Sequence, residues 1–212
     1  MAPQVLTALG ISTDIDYMAF AHVNIAGADV ILCRTGYTGE LGYELLPHTK
    51  DAVAVWDALV AAITPLNGLI SGLGARDTLR TEMGYPLHGH ELSLGISPVE
   101  ASASWAVGWK KESFIGSDVL LSQKGGSVER KSVAIKSLDR GIPRAGMSVK
   151  NSKGDVVGEV TSGTFSPTLK HGIALALLSK DVAVGDELIV DVRGRDSLCE
   201  VVKLPFVTSH VR

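Results

Sequence analysis

Long apolar runs are missing from this 212-residue sequence. Nothing in it approaches the run of about 18 apolar residues that a membrane-crossing helix needs, so no span is expected. An excess of one charge is missing as well. The 20 Lys and Arg against 23 Asp and Glu leave a net charge of −3, with no block of five like charges. A global attraction to nucleic acid or to an anionic membrane is thereby excluded. Cysteine is scarce: Cys33 and Cys199 stand far apart in strand-like sequence. They read as two buried reduced thiols rather than a disulfide, which fits a reducing compartment. The opening MAPQVLTALGIS has no basic segment followed by an apolar one. It is therefore not read as a signal peptide, and a cytoplasmic setting is expected.

Several catalytic and binding signatures are lacking too. There is no G-x-S-x-G, and Cys33 has no evident base beside it. GLGARD stands before a helical stretch but has neither the G-x-G-x-x-G pattern nor a GK[ST] ending, so it is not expected to cradle phosphate. His88 and His90 in HGHE form a His-x-His on an irregular segment with no third ligand in view, so no metal is expected. No internal repeat is visible.

What is present is an ordinary globular composition, 45% hydrophobic and 20% charged, on a chain long enough for one large domain or two small ones. PQVLTALGI reads as the last turns of a helix. The strand-like YMAFAHVNI and DVILCRT are joined by AGA, a hairpin turn, and YELLP gives a further short strand. HTKDAVAVWDALVAAI places Val53, Trp56, Leu59, Val60 and Ile63 at helical period, with Thr49 as N-cap and Asn67–Gly68 as the break. GLGARDTLRTEMGY predicts a second helix. SPVEASAS predicts a short third with Ser97 as cap and Pro98 in first position, and GSDVLLSQK a fourth capped by Ser117.

From about Ser127 the pattern changes to short strands spaced by turns: RKSVAIKSL, MSVKN, VVGEVTSG, GIALALLS, DELIVDV and SLCEVVKL. A small antiparallel barrel is expected, with Val133, Ile135, Val160, Ile173, Leu175, Leu177, Ile189 and Val201 mostly inside. QKGGSVER reads as the linker and SGTFSPTL as a polar loop between barrel strands. The fold class is thus α+β: an α/β segment over residues 1–122, then a β-barrel over residues 127–212.

RTGYTGELGYE, Arg34 to Glu44, sets two carboxylates among glycines and tyrosines. A strand starting at Gly42 sends Glu44 and Leu46 to one face, Tyr43 and Leu45 to the other. Glu44 is then either an exposed edge-strand glutamate or a two-oxygen acceptor for a flat donor pair, such as a guanidinium or the amino-pyrimidinone edge of a pterin. Tyr37 either stacks on a flat ring or fills a turn. Arg76 falls in the first turn of its helix, where the macrodipole disfavours a cation, and four residues before Arg80. An anionic partner is expected for it, whether a nearby carboxylate or a ligand.

Six blocks, CRTGYTGELGYEL, GLGARDTLRTEMGYPLHG, SPVEASASWAVGWKK, FIGSDVL, VTSGTFSPTL and KLPFV, occur in the order found in the aminomethyltransferase family, the T-proteins of the glycine cleavage system. The chain resembles that family over nearly its whole length. The resemblance implies a partial folate-binding domain followed by a barrel. Transfer of a methylene carbon from an aminomethyl-lipoyl arm to tetrahydrofolate, with release of ammonia, is the reaction it implies. The implied partner is the lipoylated H-protein that carries the arm, and tetrahydrofolate would be the co-substrate. Matched residue by residue, Glu44 would bond the pterin, Tyr37 would contact folate, and Arg76 would be a folate-binding cation. Arg212 resembles a C-terminal basic position facing the folate tail, whereas Glu40 matches a position with no implied ligand role. The family's catalytic aspartate lies in an upstream block resembling DVSHMGE that is not in this chain, so a C-terminal fragment inactive by itself is expected. His88 and His90 stand where relatives carry other polar residues. A folate-binding module without transferase activity, as in dehydrogenase tails or iron–sulfur maintenance proteins, is the alternative; the latter's K-G-C-Y-x-G-Q-E motif is absent.

Overall fold

Ala26 and Gly27 turn the first strand back on itself. The computed structural model describes all 212 residues, and in it these two adopt φ of 53° and 83° between β1 (Phe20–Ile25) and β2 (Ala28–Cys33). Positive φ at both central residues matches a two-residue turn to the twist of its strands. β3 (Glu44–Pro47) pairs antiparallel with β2, Cys33 opposite Glu44, which completes a sheet of order β1-β2-β3. Helices α1 (Ala2–Ala8) and α2 (Ala52–Ile63) accompany it. Their shared core is Leu6, Ile11, Ile25, Ala28, Val30, Leu32 and Val55, with Tyr43, Leu45 and Leu59 packed on its margin. Each fully buried aliphatic side chain contributes roughly 1.5–3 kcal/mol.

Residues 1–79 with 208–212 form one compact unit and residues 80–207 another. The division falls within α3 (Leu73–Met83). In the second unit a short helix α4 (Ser117–Ser122) precedes six strands: β4 (Arg130–Ser137), β5 (Ser148–Lys150), β6 (Val156–Ser166), β7 (His171–Ser179), β8 (Glu187–Asp191) and β9 (Asp196–Val202). All neighbours pair antiparallel, and the order β4-β7-β6-β5-β8-β9 closes into a barrel. Ile135, Val149, Val160, Ala174, Ala176, Leu178, Leu188, Val190, Cys199 and Val201 fill it. The α+β class and the barrel therefore stand as expected. No helix is long and apolar enough to cross a membrane.

Side-chain phase departs from expectation on two strands. Ile135, Val160 and Val201 point inside, and Val133 packs half-buried beside them. On β7, Ala174, Ala176 and Leu178 line the interior, while Ile173, Leu175 and Leu177 are buried on the opposite face. A strand buried on both faces is a continuous apolar run, and alternation gives no phase for it. On β8, Leu188 and Val190 are inside and Ile189 is half-buried outside.

The helices show corrections of the same kind. Val55 is the buried residue of α2, whereas Val53 is 72% and Trp56 51% exposed. An Ala/Val helix that is apolar nearly all round offers two adjacent stripes, and the core takes the one through Val55 and Leu59. Thr49 does not cap it. That residue opens a 3₁₀ turn (Thr49–Asp51), and Asp51 precedes α2 without a side-chain cap bond. Gly116, at φ 83°, leads into α4 in place of a Ser117 cap.

SPVEASAS makes a capped turn rather than a helix. The Ser97 N–H donates to Glu100 Oε2 at 2.9 Å and the Glu100 N–H to Ser97 Oγ at 3.2 Å, a reciprocal box. The turn then stops where Ser102 adopts φ 57°. SGTFSPTL, expected as a loop, mostly extends β6, whose ladder with β7 runs on to Ser166 opposite His171.

Candidate functional site

Alternation along β2 buries Ala28, Val30, Leu32 and then Arg34, the last with 6% exposure. Beyond it the glycine-rich turn returns the chain to β3. Tyr43 and Leu45 pack on the core there, while Glu44 and Leu46 face solvent, as expected. Glu44 Oε2 accepts a hydrogen bond from the Thr35 hydroxyl, and Oε1 takes no partner from the chain. The carboxylate is thus held in one orientation with one oxygen fully open. Glu40, four residues earlier, is engaged elsewhere: His210 Nδ1 lies 3.2 Å from its Oε1.

Arg76 is exposed in the first turn of α3, and its guanidinium carbon sits 4.2 Å from the centroid of the Tyr37 ring. The expected anion is represented within the chain by the negative face of an aromatic ring, a contact worth about 0.5–1 kcal/mol at an exposed site. Arg212, also exposed, stands 4.9 Å from the Tyr17 ring. Tyr17 in turn flanks Arg34 at 5.7 Å, with Tyr43 at 5.3 Å. Two groupings result. One is Tyr37 with Arg76; the other runs from Arg212 through Tyr17 and Arg34 to Gly42, two residues before Glu44.

Sequence reasoning missed Arg34. The signal was there: it continues the inward positions of DVILC by one more step of two, so a cation was due on the buried face. Such a residue in that register is a stronger anomaly than Arg76.

In the second unit, Arg80 and Glu91 anchor a buried polar network. Arg80 Nη1 donates to Glu91 Oε2 at 3.0 Å and to the Tyr85 carbonyl at 3.2 Å, and Nη2 to Ser162 Oγ at 2.7 Å. Glu91 Oε2 also accepts the Leu87 N–H at 3.0 Å, and Oε1 the Thr161 hydroxyl at 2.6 Å. Glu82 accepts the Ser166 and Thr168 hydroxyls. His90 Nδ1 donates to the Thr161 carbonyl at 2.8 Å, and His88 is exposed. No group of three or more His, Cys, Asp or Glu side chains is arranged to hold a metal ion.

Likeness to known proteins extends over most of the chain. Residues 1–111 match the family described as the GCVT N-terminal domain, and residues 130–208 the glycine cleavage T-protein C-terminal barrel domain. The aminomethyltransferase of Parafrankia sp. (strain EAN1pec) is 56% identical over 211 residues, which is 100% of this chain and 58% of that protein. The aminomethyltransferase of Mycobacterium leprae (strain TN) is 54% identical, across 98% of this chain and 57% of its own. The crystal structure of the glycine cleavage system aminomethyltransferase T from Bartonella henselae superimposes with a TM-score of 0.87 at 30% identity, covering 97% of this chain and 57% of that one. The chain thus spans 57–58% of the length of these relatives.

Proposed function

Because the chain belongs to the glycine cleavage T-protein family, we propose that the protein carrying it is an aminomethyltransferase. It would move the methylene carbon of an aminomethyl group on a lipoyl arm to tetrahydrofolate and release ammonia. The lipoylated H-protein is the proposed donor and partner. Two unpaired thiols, Cys33 and Cys199, fit the reducing cytoplasm as its setting. Residues 1–122 are assigned to the folate-binding region and 127–212 to the barrel, a division supported by the change of composition near Ser127, with residues 208–212 packing on the first unit.

The observation that carries the reading is the carboxylate of Glu44. It is exposed, fixed through Oε2 by Thr35 and open at Oε1. A flat amino-pyrimidinone edge presents donors in the arrangement two carboxylate oxygens accept. Thr35 shares Oε2 without blocking it, since an ionised carboxylate oxygen has more than one lone pair. Tyr37 offers a ring face already braced by Arg76, and Arg76 adds a cation toward an anionic ligand. Arg212 is a second exposed cation of the same unit. Folate supplies the nucleophilic nitrogen. These side chains bind and orient it, and holding reactants in place accounts for a large part of such a transfer.

The test is an assay of the complete gene product with aminomethylated H-protein and tetrahydrofolate. Methylene-tetrahydrofolate and ammonia should appear in equal amounts. Ammonia release that does not depend on folate would overturn the reading.

A further inference from the structure

Arg34 is a buried cation that meets no carboxylate. Its Nη1 donates to the Gly42 carbonyl at 3.1 Å and its Nη2 to the Val211 carbonyl at 2.6 Å. The rings of Tyr17 and Tyr43 flank the guanidinium. Desolvating a charge is costly, and carbonyl dipoles and π faces compensate it less completely than an anion would. A leucine at this inward position would continue the apolar row of β2 without that cost. The cation is therefore explained by what it joins.

It joins the glycine-rich turn to the last residues of the chain. Gly42 lies two residues before Glu44, and Val211 is followed by Arg212. A second fastening lies beside the first: the His210 N–H donates to the Gly39 carbonyl at 2.7 Å, and Glu40 pairs with His210 through both a backbone bridge and the side chains. Residues 208–212 thus lie as a strap along the turn, within a single compact unit. Arginine suits the clamp because a planar fork with five donors reaches two carbonyls in different directions while its faces meet aromatic rings. A lysine ammonium, a compact point charge, does neither.

We propose that Arg34 is a positioning residue for the folate site. It seats the strap on the glycine-rich turn, sets Arg212 against Tyr17, and holds the Gly42–Glu44 run where Thr35 can fix the carboxylate. Its functional half rests on the folate reading above; the clamp itself does not.

Two measurements separate those halves. Hydrogen exchange on the ligand-free complete gene product reads the clamp. Arg34→Lys should raise deuterium uptake at residues 39–44 and 208–212 together and leave the barrel unchanged. Unchanged uptake, or a rise confined to residues near 34, overturns the clamp. Tetrahydrofolate titration of the complete gene product reads the positioning role. Arg34→Lys and deletion of residues 209–212 should each weaken binding about tenfold, and the two together by clearly less than the product of the separate losses, as for groups acting in part through one another. Additive losses overturn the positioning role, because a merely structural arginine would act whether or not the strap is present. If Arg34→Lys does not fold, the deletion alone decides the matter, and unchanged affinity there overturns the proposal. Absence of folate binding in the unaltered protein, with the exchange result intact, refutes the folate reading and spares the clamp.

Discussion

Arg80 and Glu91 form a 3.0 Å ion pair in which the two side chains are 0% and 1% exposed. Arg80 stands four residues after Arg76 on one helix, yet their situations are opposite: one guanidinium is sealed in a network, the other lies open on a tyrosine ring. Removing one member of a buried pair strands the other and typically costs about 3–5 kcal/mol. Glu91→Leu should therefore lower the urea midpoint strongly. Arg80→Met combined with Glu91→Leu should recover part of the loss, because neither charge is then left unpaired. A double variant as unstable as the sum of the singles would contradict this account.

Glu44→Gln should weaken tetrahydrofolate binding by about 1–3 kcal/mol, the cost of leaving a donor without its acceptor. The replacement puts an amide donor where the ligand's own donors would lie. Stability should hardly change, since Glu44 is exposed. Calorimetry on the complete gene product checks the affinity, and an unaltered dissociation constant would sink the assignment. Arg76→Ala should weaken binding as well, with the circular dichroism of α3 unchanged.

Glycine substitutions should divide by location. A Cβ on Gly163 would collide with the backbone of Pro143, and one on Gly172 with the backbone of Gly141. Backbone cannot swing aside as a side chain does, so either change to alanine should cost about 1–3 kcal/mol. A methyl group on Gly74 in α3 would meet nothing within 4 Å. Gly74→Ala should stabilise by roughly 0.4–1 kcal/mol through unfolded-state entropy. Thermal unfolding of the three variants gives the signs directly.

Acid sensitivity should trace in part to Glu100. Burial alone would raise its carboxyl, but the Ser97 N–H, the Arg130 guanidinium and the Ser97 hydroxyl outweigh that and hold it below the usual carboxylate range. A depressed folded-state value means the contribution is present above the unfolded value and is lost as pH falls through the folded one. Glu100→Gln should thus lower stability at neutral pH and make the acid limb of a stability profile shallower. Parallel profiles for variant and parent would refute it.

Where one face of an element is wet, its arrangement was legible in the sequence. The β1–β2 hairpin turn and the outward phase of Glu44 followed from alternation and turn chemistry alone. Legibility failed where both faces are dry or apolar, because periodicity then has no contrast to report. Ile173, Leu175 and Leu177 took the wrong side of β7 for this reason, and Trp56 the wrong side of α2. Tyr37 and Arg76 were each singled out separately, but their pairing joins a turn to a helix and depends on the tertiary fold. The role of Arg34 was not legible because its two carbonyl acceptors, Gly42 and Val211, come together only in the folded chain.

The ladder between β6 and β7 skips a residue: Val160 opposes Ala176, and Ser162 opposes Leu175, with Thr161 left over. That surplus residue reverses which side each later side chain takes. Val160 faces the barrel, and after the skip Gly163 does so, leaving Ser162 and Ser166 outside to meet Arg80 and Glu82. Thr161 therefore works like a frameshift in three dimensions. Point substitutions along this strand alter the contacts of one side chain, whereas loss of a single codon here would exchange inside for outside over the rest of the strand. Lineages descending from this gene should accordingly tolerate changes of letter at residues 160–166 far better than changes of length.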